Sequence, residues 1–312
     1  METGDLRRSG RPSYGAVIAE ELNSLMGADR RVVAITAAMK SGTGLDLVEA
    51  KHPDRVLDVG ITEEHAVTMA AGLAAGGMRP YFAVYASFFQ RGWDQVIHDV
   101  AMQQLPVVFL LDRSGLVGED GATHHGVWDL ASLQPVPGLK VLAPRDIAEL
   151  RAMLRWSVTA DGPVAIRYGK SSVDLSMEYP CSGFLPGKWT RLEQGNDCAL
   201  LAVGSMVESA LQTHDLLVAQ GIRASVISCS TVKPLDEATL RSLAGVPVVT
   251  MEEHVLTGGF GSAVCTFAAQ EELPQPMLML GIPDTFVQHG SRAQLLKYLG
   301  LTPEQMAGRV AA

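Results

Sequence analysis

"DVGITEEHAVTMAAGLAAGG", residues 58–77, carries the chain from the end of a strand into a helix. The run "VLDVG" reads as a buried strand and Thr62 stands where a helix N-cap is expected, so Glu63 and Glu64 fall in the first helical turn. A carboxylate there is favoured by the positive end of the helix dipole, which by itself accounts for either acid. The following "AVTMAAGLAA" is apolar on every face and predicts a buried helix. Glu63 lies in line with Ala66, Ala70 and Ala74, while Glu64 points roughly 100° away around the axis. Glu63 is thereby aimed along a stripe of small residues that another chain or a flat ligand can approach closely.

Outward from this stretch the same alternation continues. Short runs rich in valine and isoleucine occur at residues 32 ("VVAIT"), 56 ("VLDVG"), 81 ("YFAVY"), 107 ("VVFLLD"), 140 ("KVLAP") and 164 ("VAIRY"). Helix-length stretches lie between most of them, such as "GWDQVIHDVAMQQ" from residue 92 and "DIAELRAMLRWSV" from residue 146. Strands alternating with helices predict a mainly parallel sheet covered on both faces. Over residues 169–196 the period lapses among prolines, glycines and serines, as in an interdomain connection. It restarts with "CALLAVG" at 198, "ASVISCS" at 224, "VPVVTMEE" at 246 and "MLMLGIP" at 277, with Gly221 placed to cap a helix between them. The expectation is an α/β protein of two doubly wound, mainly parallel-sheet domains, over residues 1–175 and 197–312, with a linker over 176–196.

The 312 residues, 47% hydrophobic and 19% charged, suffice for one large core or two ordinary ones. A formal net charge of −9 speaks against nucleic acid and anionic membrane surfaces, while leaving room for local basic pockets that take phosphorylated metabolites. No apolar run approaches a membrane span and the stretch "METGDLRRSGRPSYG" is polar, so a cytoplasmic protein is expected. Cys181, Cys198, Cys229 and Cys265 are far apart with no CxxC pair, and read as reduced thiols. "LTGGFGSAV" lacks the glycine spacing of a dinucleotide site and reads as a helix N-terminus packed closely on its neighbour.

Further motifs stand at set distances from Glu63. "DVGITEEHAVT", followed by "YASFFQRGWDQVIHDVAMQQLPVVFLLDRSGLVGEDGATHHG", resembles the pyrimidine-binding domain of thiamine-diphosphate enzymes of the transketolase superfamily. "VAITAAMKSGTGLD", "TVKPLDEATL", "MEEHVLTGGFGSAV" and "GIPDTFVQHGS" extend the likeness over nearly the whole chain, and within the superfamily they are most similar to the 1-deoxy-D-xylulose-5-phosphate synthase family. That family condenses pyruvate with glyceraldehyde 3-phosphate, releasing carbon dioxide, to a precursor of isoprenoids, thiamine and pyridoxal.

The resemblance implies that Glu63 hydrogen-bonds a ring nitrogen of the cofactor's aminopyrimidine and favours its imino tautomer. It implies that Phe88 stacks on that ring with Tyr85 nearby, and that Arg91 and Arg113 lie near the substrate and its phosphate, where a guanidinium fork suits phosphate oxygens. Asp120 and His124 lie in "GEDGATHHG", a glycine-flanked loop after a strand, and match positions around substrate and intermediate, His124 as a proton carrier. His125 is the weaker candidate, because the family's single histidine matches His124. Adjacent loop residues seldom both reach one ion, so no metal site is expected from this pair.

Two departures stand out. "RYGK" puts Lys170 where the family has an arginine associated with substrate phosphate, keeping the charge but losing the bidentate fork. Glu64 replaces a glutamine, adding a charge beside Glu63. The Gly-Asp-Gly motif with which the family's N-terminal domain holds diphosphate and magnesium does not occur in these residues, and "METGDLRRSGRPSYG" resembles the connection that follows that domain. The expectation is half a cofactor site, with Mg2+ bound only when an N-terminal domain or partner subunit joins it, in an assembly that is a homodimer. Two other readings stand beside a synthase: a separate subunit of a split transketolase or 2-oxo acid dehydrogenase, and a non-catalytic assembly subunit. The set Glu63, Phe88, Arg113, Asp120 and His124 weighs against the last.

Overall fold

The computed structural model describes residues 12–172, 175 and 178–312. The polar stretch at residues 1–11 therefore lies outside the described residues. The strands are β1 Val32–Thr36, β2 Val56–Asp58, β3 Arg79–Tyr85, β4 Val108–Asp112, β5 Lys140–Leu142, β6 Val164–Arg167, β7 Thr190–Glu193, β8 Cys198–Ala202, β9 Ala224–Ser228, β10 Thr231–Lys233, β11 Val248–Val255 and β12 Met277–Ile282. They build a seven-stranded sheet ordered β10-β5-β6-β4-β3-β1-β2 and a five-stranded sheet ordered β12-β11-β8-β9-β7. Pairing is parallel except at two edges, where β10 and β7 run antiparallel to their neighbours. The two mainly parallel α/β sheets expected from the sequence are therefore present.

Both antiparallel edges depart from the sequence reading. β7 lies inside the stretch read as linker, and Leu192 is its one apolar residue, so no apolar run betrays it. β10 follows the second sheet's β9 in the chain yet closes the first sheet against β5. Lys233 fastens it there by donating from Nζ to the carbonyls of Gln134 and Val136.

Apolar side chains pack in three clusters. The middle one joins Phe82, Phe109 and Val141 of the first sheet to Leu201, Ile227 and Phe260 of the second sheet's region, so the sheets share one core. Each fully buried aromatic there is worth about 1.5–3 kcal/mol relative to exposure. The other clusters lie beneath the helices Tyr14–Ala28 and Ile147–Ser157, and around Leu200, Val207, Leu217 and Leu280. Among the described residues no helix is long and apolar enough to cross a membrane.

Glu63 and Glu64 do begin the helix Glu63–Ala75. Thr62 occupies the N-cap position without capping, because its hydroxyl donates to the Val59 carbonyl at 2.9 Å. Ala66, Ala70 and Ala74 are buried in the chain's own middle cluster, so the stripe in line with Glu63 does not offer a close approach to another chain. What comes close there is Gly92, where a Cβ would stand 2.8 Å from Val67 and 3.3 Å from the Glu63 carbonyl. The helix is not buried all round: Glu64, Thr68, Gly72 and Ala75 are exposed along one side. The expected helix from residue 92 is broken into a tight turn at Gln90–Gly92, a short α segment at Trp93–Gln95 and a wide π turn at Val96–Ala101.

Where the two sheets' domains meet, Arg167 at the end of β6 grips the Asp129 carboxylate at 2.7 Å. Nearby, Glu252 accepts from the amides of Phe260 and Gly261, closing the helix start that "GGFG" forms. Burial pushes Glu252 up to about 7. His254 is fully buried; its Nδ1–H donates to the Val255 carbonyl and its Nε2 accepts from the Leu130 amide at 3.1 Å. A proton added at Nε2 would face an N–H donor. Burial, opposed by Asp129 and assisted by Arg167, pushes His254 down to about 4.

Between pH 4 and the ordinary 6.5 the unfolded histidine thus binds more protons, so its contribution to stability is lost as pH falls through that window. Glu252, raised, works in the opposite sense between 4.5 and about 7. Replacing His254 with Gln, whose side-chain oxygen can still accept from the Leu130 amide, should remove the first slope only. Melting curves should show a smaller advantage of pH 7.5 over pH 5 in His254→Gln than in the unaltered chain; an unchanged difference would refute the assignment.

Candidate active site

Parallel strands point their C-terminal ends the same way, and loops gathered there are the usual seat of function. Asp58, Tyr85, Asp112 and Arg167 are the last residues of β2, β3, β4 and β6. Beyond them the chain takes costly turns, with Ala38 at φ 60° and Arg113 at φ 61°, conformations uncommon for residues other than glycine.

Glu63, Arg91, Phe88, His124, Tyr85 and Arg113 lie along a connected set of contacts, and Lys170 shares the wall of one cavity with Arg113. Glu63 is 1% exposed, and Arg91 places a guanidinium nitrogen 3.2 Å from its carboxylate. The same guanidinium lies 5.9 Å from the centre of the Phe88 ring. Phe88 meets the edge of His124 at 5.2 Å and stacks on Tyr85 at 5.7 Å. Arg113 covers the other end, 3.7 Å from the Tyr85 ring centre. Lys170 and Asp120 complete the group as an ion pair at 2.8 Å.

Two cavities flank this line. One, of about 590 Å3, is lined by Phe88, Arg91, Thr123 and Trp128, with Phe286 standing 74% exposed beside it. The other, of about 260 Å3, is lined by Arg113, Lys170, Asp112, Ser13 and Tyr14. The first lies in the range of small-molecule sites.

The contacts distribute the charges. Arg91 sits on the buried Glu63 because a desolvated carboxylate draws the nearest cation. Arg113 donates to Asp112 at 2.8 Å and to the Gly42 carbonyl at 3.2 Å. At Gly42 a Cβ would stand 1.9 Å from the Tyr85 hydroxyl, so a larger residue there would displace the Tyr85 ring. Hydrogen bonding from Lys170 holds the Asp120 carboxyl below its ordinary range. His125 is 1% exposed, accepting from the Val117 amide at Nδ1 and directing Nε2 to the Gln288 carbonyl, so it pins the loop, whereas His124 stays partly open beside Phe88. Among the described residues no group of three or more His, Cys, Asp and Glu side chains is placed to hold a metal ion.

Several neighbours were not singled out from the sequence. Asp112 is 5% exposed and burial pushes its carboxyl up to about 6, with Arg113 opposing. Tyr168 has a buried hydroxyl with no hydrogen-bond partner among the described residues, and burial raises it well above the ordinary phenol range. Ser87, next to Phe88, likewise has a buried hydroxyl without a partner. Asp112 had a legible signal, ending the run "VVFLLD"; Tyr168 and Ser87 had none.

Residues 11–174 match the family model described as "Transketolase, pyrimidine binding domain", and residues 187–306 the one described as "Transketolase, C-terminal domain". The 1-deoxy-D-xylulose-5-phosphate synthase of Synechococcus elongatus is 48% identical over 304 residues, covering 96% of this chain and 48% of the synthase. The Gloeobacter violaceus synthase is 49% identical over 302 residues, covering 95% of this chain and 47% of its own length. The chain thus spans about half the length of the curated relatives it matches. Among solved structures, a split-gene transketolase described as an inactive β4 tetramer aligns with a TM-score of 0.85 at 31% identity, covering 97% of this chain and 98% of that one. Transketolase from Campylobacter jejuni, at 19% identity and a TM-score of 0.81, covers 96% of this chain and 46% of that one, a likeness of fold alone. With both halves matched by its domain models, the chain belongs to the transketolase family.

Proposed function

We propose that this chain supplies the pyrimidine side of a thiamine-diphosphate site in a transferase that condenses pyruvate with glyceraldehyde 3-phosphate, with loss of carbon dioxide, to 1-deoxy-D-xylulose 5-phosphate. The observation that carries the reading is the run of contacts from the buried Glu63 through Arg91 and Phe88 to His124. A buried carboxylate with a half-exposed cation on it, next to an aromatic ring lining a 590 Å3 cavity, fits an aminopyrimidine: an acid for a ring nitrogen and a face for the ring. Thiamine diphosphate, when bound, supplies the electron sink for decarboxylation and carbon–carbon bond formation.

The chain's residues then have separate tasks. Glu63 shares a proton with the pyrimidine nitrogen, and Arg91 turns from Glu63 toward the substrate. Phe88 and Tyr85 set the ring's plane. His124 carries a proton at the acceptor's carbonyl oxygen, and Asp120 orients the acceptor. Arg113 and Lys170 face the acceptor's phosphate across the 260 Å3 cavity. Diphosphate and Mg2+ are held by an N-terminal half or a partner subunit, and this chain by itself does not turn over. The near-complete overlap with a split-gene transketolase favours, as a second reading, a separate subunit that works only with its partner. The exposed line Thr68, Gly72 and Ala75, with Ile61 and Met102 largely exposed, supports assembly as a homodimer.

The test adds thiamine diphosphate, magnesium, pyruvate and glyceraldehyde 3-phosphate to the chain with and without a diphosphate-binding half. Turnover by the chain alone would end the claim of incompleteness, and an assembled pair that releases no carbon dioxide from pyruvate would end the synthase reading. In the active pair, Glu63→Ala should abolish turnover, a loss of about 100-fold or more, while Glu64→Ala leaves it within about threefold. Lys170→Arg, restoring the bidentate fork, should lower KM for the phosphorylated aldehyde and leave that for pyruvate unchanged; equal changes in both would count against a phosphate role. Sedimentation should give a dimer or larger, and a monomer would refute the assembly.

A further inference from the structure

Residues 114–126, which carry Asp120 and His124, are held from outside by the second sheet's region as well as by their own strand. The approach is made at Gly115, which has φ +88° and where a Cβ would stand 3.0 Å from the Glu253 carboxyl carbon. With that space free, the Leu116 amide donates to Glu253 Oε1 at 2.8 Å. Glu253, on β11, is 4% exposed and also accepts from the Ser205 hydroxyl at 3.0 Å and from Arg292 Nε at 3.1 Å, with a second bond from the same guanidinium. Burial pushes this carboxyl up, but Arg292 and the hydrogen bonds outweigh it and leave it below the ordinary range. Farther along, the Gln288 carbonyl meets His125 Nε2 at 3.2 Å, and the Gly290 amide donates to the Gly118 carbonyl at 3.5 Å. Glu253 has no contact with Glu63, Phe88 or His124 and no part in the proposed chemistry.

We propose that Glu253, backed by Arg292, is a positioning residue that sets residues 114–126 through the Leu116 amide and thereby fixes the reach of Asp120 and His124. The importance of those two side chains rests on the function proposed above; the brace does not. Gly115, Gly118 and Gly121 all have positive φ, so this backbone has much conformational freedom to lose on ordering. A charge-assisted bond from a buried, fully partnered carboxylate limits that freedom at the loop's start. A side chain at position 253 without an acceptor would leave the Leu116 amide unpaired and take from Arg292 its buried carboxylate partner.

The test uses the chain as it is, without cofactor or substrate, so it stands or falls separately from the synthase reading. Hydrogen exchange read by mass spectrometry should quicken by about tenfold or more in peptides covering residues 114–126 of Glu253→Ala, and stay within about twofold over β4 and the helix Ile147–Ser157. The His124 ring signal, identified by its loss in His124→Gln, should shift in the same variant. Glu253→Gln keeps an oxygen for the Leu116 amide and should restore most of the loop's protection despite the lost charge. Exchange unchanged in the loop, quickened evenly along the chain, or not rescued by Gln would overturn the proposal. Should Glu253→Ala fail to fold, Arg292→Gln decides: it leaves the loop's glycines and the Glu253 carboxylate in place, removes the guanidinium that holds that carboxylate, and should give the same confined quickening in weaker form.

Discussion

The site hangs from the apolar layer that the two sheets share. Phe82 and Phe109 from one sheet and Leu201 and Ile227 from the other exclude water between them, so the charged groups at the margin of that layer take partners within the protein. Arg167 on Asp129, His254 under the Leu130 amide and Glu252 on the amides of Phe260 and Gly261 are the result. These paired groups fix how the second sheet's region sits on the loops at the strand ends of the first. Glu253 belongs to the same margin, and its pairing with the Leu116 amide reaches the loop that follows β4 of the first sheet.

The candidate site shows the same rule on a smaller scale. Glu63 begins a helix whose buried face is made of alanines, which leaves the carboxylate out of water with few nearby groups able to answer it. Arg91 answers it, from a segment of successive tight and wide turns in which Gly92 lies against the helix. The arrangement is a buried carboxylate, an aromatic face and a half-exposed cation in one small volume. At the far end Arg113 is locked by Asp112, Gly42 and Tyr85, while Lys170 is held mainly by the half-exposed Asp120. The cations of the 260 Å3 cavity therefore differ in setting, Arg113 the more buried and Lys170 the more exposed.

Much of this was legible in the residue order. Runs such as "VVAIT" and "VVFLLD" mark strands because a parallel strand covered on both faces must be apolar throughout, and that signal needs no knowledge of neighbours. The position of Glu63 in a first helical turn followed from the strand before it and the apolar run after it. The residues brought to Phe88 and Tyr85 were named from motifs, and the structure sets them in contact. Illegible were β7, whose polar edge pattern resembles a loop, and β10, whose partner belongs to the other sheet. The small-residue stripe misled because periodicity tells which residues share a face and is silent on what that face meets.

The sequence by itself determined the two α/β sheets, the helix that opens on Glu63 and the family to which the chain belongs, because hydrophobic period and local motif are properties of neighbouring residues. Only the tertiary structure decided that Arg91 rests on Glu63, that His125 is a pin while His124 stays open, and that Glu253 braces a loop more than a hundred positions away. Those pairings come from burial. A charged or polar group taken out of water takes whichever partner the packed core brings within reach, and that partner can lie anywhere along the chain.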